Sequence, residues 1–319
     1  MILYGFKGRY QIENDSIAQG GEGSIHRLVN KKGYLAKIYI KGNPKKEEKI
    51  KVMLKSDLND FALSQISWPV DILYDIDKNF MGYVMPEVSG VNLNLLYSGK
   101  YPNLTLKHRI LYAINLCVAV DTVHKLGHVV GDFNPQNIKA STETGLVSLV
   151  DTDSFHIIDR ETCSIYRCEV GSADYLSKEV QEKASNGKRL DTAPLPTFTV
   201  SSDLFALAIH IFALLMNGCN PFTATKISDV ESNVTVKAQE NIVKGIFPFN
   251  TNNKNFQIPA YALKYETLPD YIRKLFDKTF IDGIEDDDFI WGNTNISKRA
   301  SIEEWIVALQ RYSKELKQC

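Results

Sequence analysis

The sequence predicts an α+β fold of two lobes, in which a small β-rich lobe with one main helix precedes a larger, mostly helical lobe. Up to residue 88, short runs of β-branched and aromatic residues alternate with turns of Gly, Asn and Lys. Beyond residue 89, apolar residues recur at three- and four-residue spacing over long segments, which is typical of amphipathic helices. We therefore predict one bilobal domain, with a cleft between residues 1–88 and 89–319.

The individual elements follow from the same patterns. In the small lobe, residue types predict strands at 10–12, 25–29, 34–40, 68–74 and 80–85. Pro44 opens the main helix of this lobe, because Ile50 and Met53 share one apolar face. In the large lobe, spacing predicts helices at 104–126, 204–216, 268–280 and 301–316, with N-terminal caps at 201–203 and 301–304. Two prolines and mixed charge predict a surface insertion at 181–200.

Composition and charge exclude several classes of protein. The chain is 44% hydrophobic and 24% charged with a net charge of −1, so nothing global indicates nucleic-acid or membrane binding. Five irregularly spaced cysteines favour a reducing compartment over a disulfide scaffold, and Cys163 and Cys168 have no second pair to complete a zinc site. The longest apolar run, 204–216, is too short to span a bilayer, and the first residues do not form a signal peptide. We expect a cytoplasmic location.

Three polar residues in the middle of the chain carry the chemistry. Asp132 and Asn137 lie five residues apart in Gly-Asp-Phe-Asn-Pro-Gln-Asn, a spacing that lets one loop present both side chains. Asp151 follows the apolar run 146–150, where its carboxylate is suited to bind Mg²⁺. An Asp, an Asn and a second Asp in this order supply what phosphoryl transfer needs, a base that positions a hydroxyl and two metal ligands.

Two features near the N-terminus fit the same chemistry. Residues 18–25 read Ala-Gln-Gly-Gly-Glu-Gly-Ser-Ile, and glycines there allow backbone N–H groups to close over phosphates. Taken alone, such a run would equally predict a plain hairpin turn. Lys37 lies in the next predicted strand between apolar neighbours, 14 residues after Gly23. A lone Lys in a strand is ordinarily solvated, but here its spacing from the glycines suggests a phosphate contact.

The order and spacing of these motifs resemble those of eukaryotic-type serine/threonine protein kinases, from about residue 11 to residue 316. The variants Gly-Asp-Phe-Asn-Pro-Gln-Asn and Asp-Thr-Asp-Ser-Phe are most similar to bacterial members. The resemblance implies a kinase fold, ATP as the cofactor and Mg²⁺ or Mn²⁺ as the metal. It implies that Asp132 is the catalytic base, that Lys37 holds the α- and β-phosphates, and that Asn137 and Asp151 bind the metal.

The resemblance also implies a nucleotide-binding surface. Its members are Ala18, Gly20, Gly21, Gly23, Ile25, Leu35, Lys37, Glu48, Met85, Glu87 and Val88. Met85 would be the gatekeeper, and the backbone of Glu87 and Val88 would meet the adenine edge. Ala18 replaces the first loop Gly of the family, and Leu35 replaces a small residue above the adenine.

The lysine needs a carboxylate, and Glu47 and Glu48 both lie in the helix that follows. Glu48 has Val52 four residues later, whereas Glu47 has Lys51, so the face with Glu48 is the more apolar. We therefore favour Glu48 as the partner of Lys37.

Several positions depart from the family pattern. Val130 and Gly131 replace the usual His-Arg, which removes the residue that receives an activation-loop phosphate. Asn134 replaces a Lys near the γ-phosphate and can donate only a neutral hydrogen bond there. Thr152 and Asp153 stand in place of Phe-Gly after the metal-binding Asp, and we expect a less mobile loop. Asp153 could support the residues that bind the metal or be solvated, and we favour a solvated side chain.

Four further residues would support the site. By resemblance, Ser172 contacts the catalytic Asp and favours a Ser/Thr substrate. Glu179 pairs with a buried Arg299, and Asp203 anchors the catalytic loop through its backbone. Asp203 is also suited to a plain helix cap.

The leading interpretation is a Mg-ATP-dependent kinase of protein serine and threonine. The departures from the pattern favour a second hypothesis, a pseudokinase that binds nucleotide and acts as an interaction module. A small-molecule kinase is a third, disfavoured by Ser172 and the segment 175–179. By family resemblance, a phosphatase or a von Willebrand-type protein is an expected partner besides the protein substrate.

Overall fold

The computed structural model describes residues 1–97, 100–185, 188–193, 195–227, 234–250, 255–286 and 297–316. The small lobe is an antiparallel sheet of six strands that closes on itself in the order β1-β2-β3-β4-β6-β5. The strands are β1 (Ile2–Gly5), β2 (Gly8–Gln19), β3 (Gly23–Leu28), β4 (Tyr34–Tyr39), β5 (Asp71–Tyr74) and β6 (Phe80–Pro86). The first strand was not predicted, because its four residues are too few to show a period.

Alternation along β4 decides what the two sides of this sheet do. Ala36 and Ile38 point into the closed sheet, where they pack with Leu3, Tyr10, Ile12, Leu28, Leu73 and Val84. Leu35 and Tyr39 belong instead to the main hydrophobic core on the other side of the sheet. Lys37 shares the side of Leu35 and Tyr39 and is nearly buried. The strand therefore aims this lysine towards the second lobe.

Two helices complete the small lobe, α1 (Pro44–Met53) and α2 (Asp60–Gln65). The side chain of Asn43 caps α1 by accepting a hydrogen bond from the backbone of Lys46, and Pro44 occupies the first turn. Ile50 and Met53 are fully buried. The main helix was thus predicted with its start, whereas the short α2 was missed.

The second lobe contains the remaining elements. The strands are β7 (Val91–Asn92), β8 (Ile138–Ala140), β9 (Val147–Leu149), β10 (Ile157–Asp159), β11 (Ser164–Tyr166), β12 (Ala224–Lys226), β13 (Val234–Val236) and β14 (Phe256–Gln257). The helices are α3 (Leu106–Lys125), α4 (Lys178–Ser185), α5 (Val200–Leu215), α6 (Ala238–Val243), α7 (Asp270–Asp277) and α8 (Ile302–Glu315). A π-helical turn, Lys278–Asp282, extends α7. The predicted α+β, two-lobed fold is confirmed.

Helix α5 forms the centre of the second lobe. Every residue from Ser201 to Leu215 is buried, and Phe212 packs its ring against those of Phe247, Phe249, Phe276 and Phe280. The N-cap is Thr199, which forms a capping box with Ser202. The cap predicted at 201–203 therefore lies inside the helix, whereas the predicted capping box of Ser301 and Glu304 begins α8. None of the helices in the described part of the chain is both long and apolar enough to cross a bilayer.

The surface insertion predicted at 181–200 needs correction, because much of this stretch is packed. Gln181, Ala193, Thr197 and Phe198 are buried. Arg167 donates hydrogen bonds to the carbonyls of Leu190, Asp191 and Ala193 and to the Thr197 hydroxyl. Prolines and charges indicate irregular backbone, and they do not reveal that the half-buried Arg167 holds it in place. Residues 186, 187 and 194 lie outside the described part.

Candidate active site

A short hairpin brings Asn137 and Asp151 together. Strands β8 and β9 pair with Ile138 opposite Leu149, and the N–H of Val150 donates to the carbonyl of Asn137 at 2.9 Å. Asn137 directly precedes one strand and Asp151 follows the other closely, so both side chains lie at the same end of the hairpin. Asp151 has a left-handed backbone (φ 58°) and a side chain that is 44% exposed.

The loop before this hairpin presents Asp132. Its Oδ2 accepts hydrogen bonds from the amide groups of Asn134 at 2.8 Å and Asn137 at 3.2 Å. Its Oδ1 is buried and accepts none within the described residues. Burial raises the pKa of Asp132, and the nearby Asp151 carboxylate also raises it, whereas the Asn134 amide opposes the rise. Oδ2 of Asp132 is thus held by two hydrogen bonds, whereas Oδ1 can still accept one.

Helix α5 fixes both ends of this loop. The carboxylate of Asp203 accepts the backbone N–H groups of Val130 at 2.7 Å and Gly131 at 2.9 Å. Two turns later, Nε2 of His210 lies 2.7 Å from the Phe133 carbonyl, which can only accept, so this nitrogen carries the proton. Burial lowers the pKa of His210 to about 4, which keeps the ring neutral. The sequence argument singled out Asp203 and missed His210.

Gly131 stands where the family has Arg, and the structure gives a steric reason. Its φ is +79°, and a Cβ would lie 2.8 Å from the Cβ of Cys168. Cys168 is fully buried in an apolar cluster with Val129, Leu176, Val180 and Phe198. Hydrophobic packing therefore holds the segment around residue 168 against the catalytic loop, in the place of an ionic contact.

Lys37 is held by two carboxylates of the loop after β9. Its Nζ lies 2.6 Å from Oδ1 of Asp151 and 2.6 Å from Oδ1 of Asp153. Asp153 also accepts hydrogen bonds from the hydroxyls of Tyr39 at 2.7 Å and Tyr83 at 2.8 Å. Burial alone would favour the neutral acid, but Lys37 and the two hydroxyls lower the pKa of Asp153 to about 2. The prediction of a solvated Asp153 is wrong, since this side chain is buried and fully engaged.

The predicted pairing of Glu48 with Lys37 is also wrong. Glu48 is exposed, and Glu47 bonds to Lys51 at 2.6 Å and to the Tyr74 hydroxyl at 2.8 Å. The packing of Ile50 and Met53 sets the rotation of α1 and turns Lys49 inward instead. The sequence did contain a clue to the surroundings of Lys37. Tyr39 lies two residues later in the same strand, so its side chain lies on the same side of the sheet.

The glycine-rich run forms a tight hairpin above the cleft. The N–H of Gly20 donates to the Gly23 carbonyl at 2.9 Å, and a Cβ at Gly23 would lie 2.3 Å from the Ile38 carbonyl oxygen. Glu22 forms an ion pair with Lys46 of α1 at 2.8 Å. The other predicted loop residues line the same cleft, namely Ala18, Gly21 and Ile25.

The segment that joins the lobes contains the predicted adenine contacts. Leu35 of β4 is paired with Met85 of β6, and both belong to the main hydrophobic core. The N–H of Glu87 donates to the Gly33 carbonyl at 2.9 Å, so this group is already occupied. Val88 forms no backbone hydrogen bond within the described residues. Of the backbone N–H groups at these two predicted adenine contacts, only that of Val88 is therefore available to a ligand.

Two predicted supports lie beyond the cleft. Arg299 is fully buried and forms a bidentate ion pair with Glu179, at 2.9 and 2.8 Å. It also donates to the carbonyls of Gly283 and Ser201. The backbone of Ser172 lies close enough to Asp132 to lower its pKa slightly, whereas no hydrogen bond joins the two side chains among those described.

The cleft between the lobes has a volume of about 730 Å³ and is lined by the glycine hairpin, Lys37, Asn137 and Asp151. The Asn137 nitrogen is used by Asp132, which leaves its amide oxygen without a donor among the described residues. The second carboxylate oxygen of Asp151 likewise has no hydrogen-bond donor among the described residues. Mg²⁺ prefers oxygen ligands and commonly takes one or two from protein and others from phosphates. These two side chains therefore fit a magnesium ion.

Comparison with solved structures shows that the chain has the protein-kinase fold. The autoinhibited serine kinase domain of the giant muscle protein titin superimposes with a TM-score of 0.64 at 15% identity, which covers 96% of this chain and 81% of that chain. The structure of titin kinase with its flanking domains gives the same TM-score at 14% identity, over 96% of this chain and 47% of that chain.

Sequence relatives are protein kinases as well. The chain is 24% identical over 332 residues to protein kinase YegI of Escherichia coli O157:H7, across 99% of this chain and 47% of that protein. It is 26% identical over 269 residues to probable serine/threonine-protein kinase CPE1738 of Clostridium perfringens, across 82% of this chain and 34% of that protein. The chain thus spans about half the length of YegI. No protein-family model matches it. These relatives support a protein kinase.

Proposed function

We propose that this chain is a serine/threonine protein kinase that uses ATP and Mg²⁺. The observation that carries the proposal is the free, buried Oδ1 of Asp132, in a loop whose Asn137 shares one cleft with Lys37 and Asp151. An acceptor with unused capacity beside a pair of metal ligands is what in-line transfer to a hydroxyl requires.

Each side chain has a distinct part in this proposal. Asp132 orients a substrate hydroxyl through Oδ1 and takes its proton as the oxygen attacks the γ-phosphorus, while the bond from that phosphorus to the β,γ-bridging oxygen breaks and ADP leaves. Asn134 keeps the carboxylate in place through Oδ2, because its amide is committed to Asp132. Lys37 is held ready for the α- and β-phosphates, and Val88 offers its N–H to the adenine. A bound Mg²⁺, held by Asn137 and Asp151, would neutralise charge on the phosphates.

Serine and threonine are the proposed acceptors for two reasons. The backbone of Ser172 lies near Asp132, so the residue that resembles the Ser/Thr-selective position of the family borders the catalytic loop. The Clostridium relative is also named a probable serine/threonine kinase. A protein substrate, a partner phosphatase or von Willebrand-type protein and a cytoplasmic location are proposed on family resemblance.

The test is transfer of labelled γ-phosphate from Mg-ATP to the chain itself and to a generic protein acceptor. Asp132→Asn should lower transfer by about 10²–10⁴-fold while ATP binding persists. The matched control is Asp57→Asn, since Asp57 is exposed and lies outside the cleft. Label on Ser or Thr that is lost only in the Asp132 variant supports the proposal. ATP binding without any transfer would instead identify a pseudokinase.

A further inference from the structure

Helix α1 presents a lysine to the cleft at a place where a carboxylate was expected. Lys46, Lys49 and Ile50 lie on the face of α1 that lines the cleft. Lys49 is only 8% exposed, so more than nine-tenths of this residue is out of contact with bulk water. Lys49 lines the same cleft as the glycine hairpin, Lys37 and Asp151.

This lysine differs from its neighbours in having no partner. Lys37 pairs with Asp151 and Asp153, Lys45 with Glu169 at 2.6 Å, and Lys46 with Glu22 at 2.8 Å. No hydrogen bond or ion pair engages the Lys49 ammonium within the described residues. A buried charge without a partner is costly, and natural proteins retain such groups chiefly where a ligand supplies the missing charge.

We propose that Lys49 is a second phosphate-binding lysine, whose ammonium contacts the terminal phosphates of the bound nucleotide from the side of α1. The inference rests on the proposed function, because the ligand is the nucleotide of that same cleft. It gives the cleft an unpaired cation in addition to Lys37, which its two carboxylates already neutralise. It also accounts for Asn134, since the positive charge absent from the catalytic loop is supplied from the opposite wall.

The electrostatic surroundings agree with this role. Burial lowers the pKa of Lys49 to about 8, partly offset by Cys168, Asp153 and Glu169, while Lys45 lowers it further. Burial lowers the pKa of His128 and of His156 to about 4, and the Lys49 charge contributes to both shifts. The nearby acids are themselves engaged, Asp153 by Lys37 and Glu169 by Lys45. A phosphate group would be the first unshared anion to reach this ammonium.

Nucleotide affinity of Lys49→Met decides the question, measured by titration calorimetry with ATP, ADP and adenosine. The protein is first treated with a phosphatase, so that a phosphoryl group on the chain itself cannot occupy Lys49. We expect ATP affinity to fall by about tenfold or more, as for loss of a charge-assisted hydrogen bond, and adenosine affinity to stay unchanged. The control is Lys51→Met, the same change on the exposed face of α1.

A second variant separates a phosphate contact from a structural role. Lys49→Arg keeps the charge and should restore most of the ATP affinity, and the thermal midpoint of nucleotide-free Lys49→Met should not fall below that of the wild type. Equal ATP affinity in Lys49→Met and wild type would overturn the inference and leave the proposed function intact. An equal loss for adenosine would also overturn it. Absence of ATP binding by the wild type would overturn both.

Discussion

Asp153 forms an ion pair with Lys37 across the cleft, with Nζ and Oδ1 2.6 Å apart. Both side chains are nearly buried, and the hydroxyls of Tyr39 and Tyr83 complete the coordination of the carboxylate. The carboxylate that positions this lysine therefore comes from the loop that carries Asp151, rather than from helix α1. Lys37 is held without any contribution from the position of that helix.

Asp153→Asn should therefore impair catalysis more than any change at Glu48. The amide cannot neutralise Lys37, so of the two carboxylates only Asp151 still does so, and the ammonium is held less firmly in its position. We expect the rate of phosphoryl transfer to fall by roughly 10²-fold. Glu48→Gln, in which the exposed residue is changed, should remain within about twofold of the wild type. Steady-state kinetics with a protein acceptor would show the difference. An equal loss of activity in both variants would indicate that Glu48 of helix α1, and not only Asp153, positions Lys37.

Asp203→Asn should disturb the catalytic loop from behind. The carboxylate accepts two backbone N–H groups, at Val130 and Gly131, and also contacts His124. In the Asn variant, the side-chain NH₂ group faces one of these backbone N–H donors and cannot accept its hydrogen bond. The loop then shifts together with Asp132, and the rate of phosphoryl transfer should fall by roughly 10²-fold. ATP affinity should change little, because Asp203 does not line the cleft. Asp121→Asn, on the surface of α3, is the control, and equal activity of the two variants would contradict the prediction.

Arg299→Met should destabilise the second lobe. The change leaves the Glu179 carboxylate partly buried without its bidentate partner and also frees the carbonyls of Ser201 and Gly283. Removal of one partner from a buried pair costs about 3–5 kcal/mol in the free energy of unfolding. Arg311→Met breaks an exposed pair with Glu315 and should cost less than about 1 kcal/mol. Urea unfolding of both variants would measure the contrast, and comparable losses would show that the buried pair is not a strong support.

Lys49→Met should stabilise the nucleotide-free protein in a pH-dependent way. Burial lowers the pKa of Lys49 to about 8, below that of an unfolded lysine, so folding disfavours the charged form. Below pH 8 the wild type bears the whole penalty, on the order of 3 kcal/mol, and the penalty fades as pH rises to about 10.4. The stability difference between variant and wild type should thus be largest at pH 7 and vanish near pH 10.5. Urea unfolding across this range measures it, and a difference independent of pH would contradict this account.

The grouping of Asp132, Asn137 and Asp151 in space was predictable because these residues lie close together in the sequence. Asp132 and Asn137 lie in one loop, and a two-stranded hairpin was enough to bring Asp151 beside Asn137. The alternation of β4 likewise predicted the side on which Lys37 and Leu35 lie. The helices that were predicted have errors of a few residues at their ends, because the spacing of apolar residues indicates that a helix is present better than it indicates where the helix begins and ends.

The rotation of α1 was predicted wrongly, although Ile50 and Met53 already indicated its apolar face in the sequence. Glu47, Glu48 and Lys49 are consecutive, and a turn of about 100° per residue decides which of them faces the cleft. The apolar face was inferred from Val52, but packing of Ile50 and Met53 against the core set the orientation. The left-handed backbone of Asp151 then turned Asp153 inward, where an alternating pattern would have placed it in water.

The sequence by itself determined the two-lobed fold class and placed Asp132, Asn137 and Asp151, the residues proposed for catalysis and metal binding, close together along the chain. These follow from periodicity and from short-range spacing, which the chain expresses locally. Only the tertiary structure decided that Asp153 holds Lys37, that Lys49 lines the cleft, and that Cys168 fills the space beside Gly131. Such contacts join residues far apart in the chain, and their geometry depends on how whole elements pack.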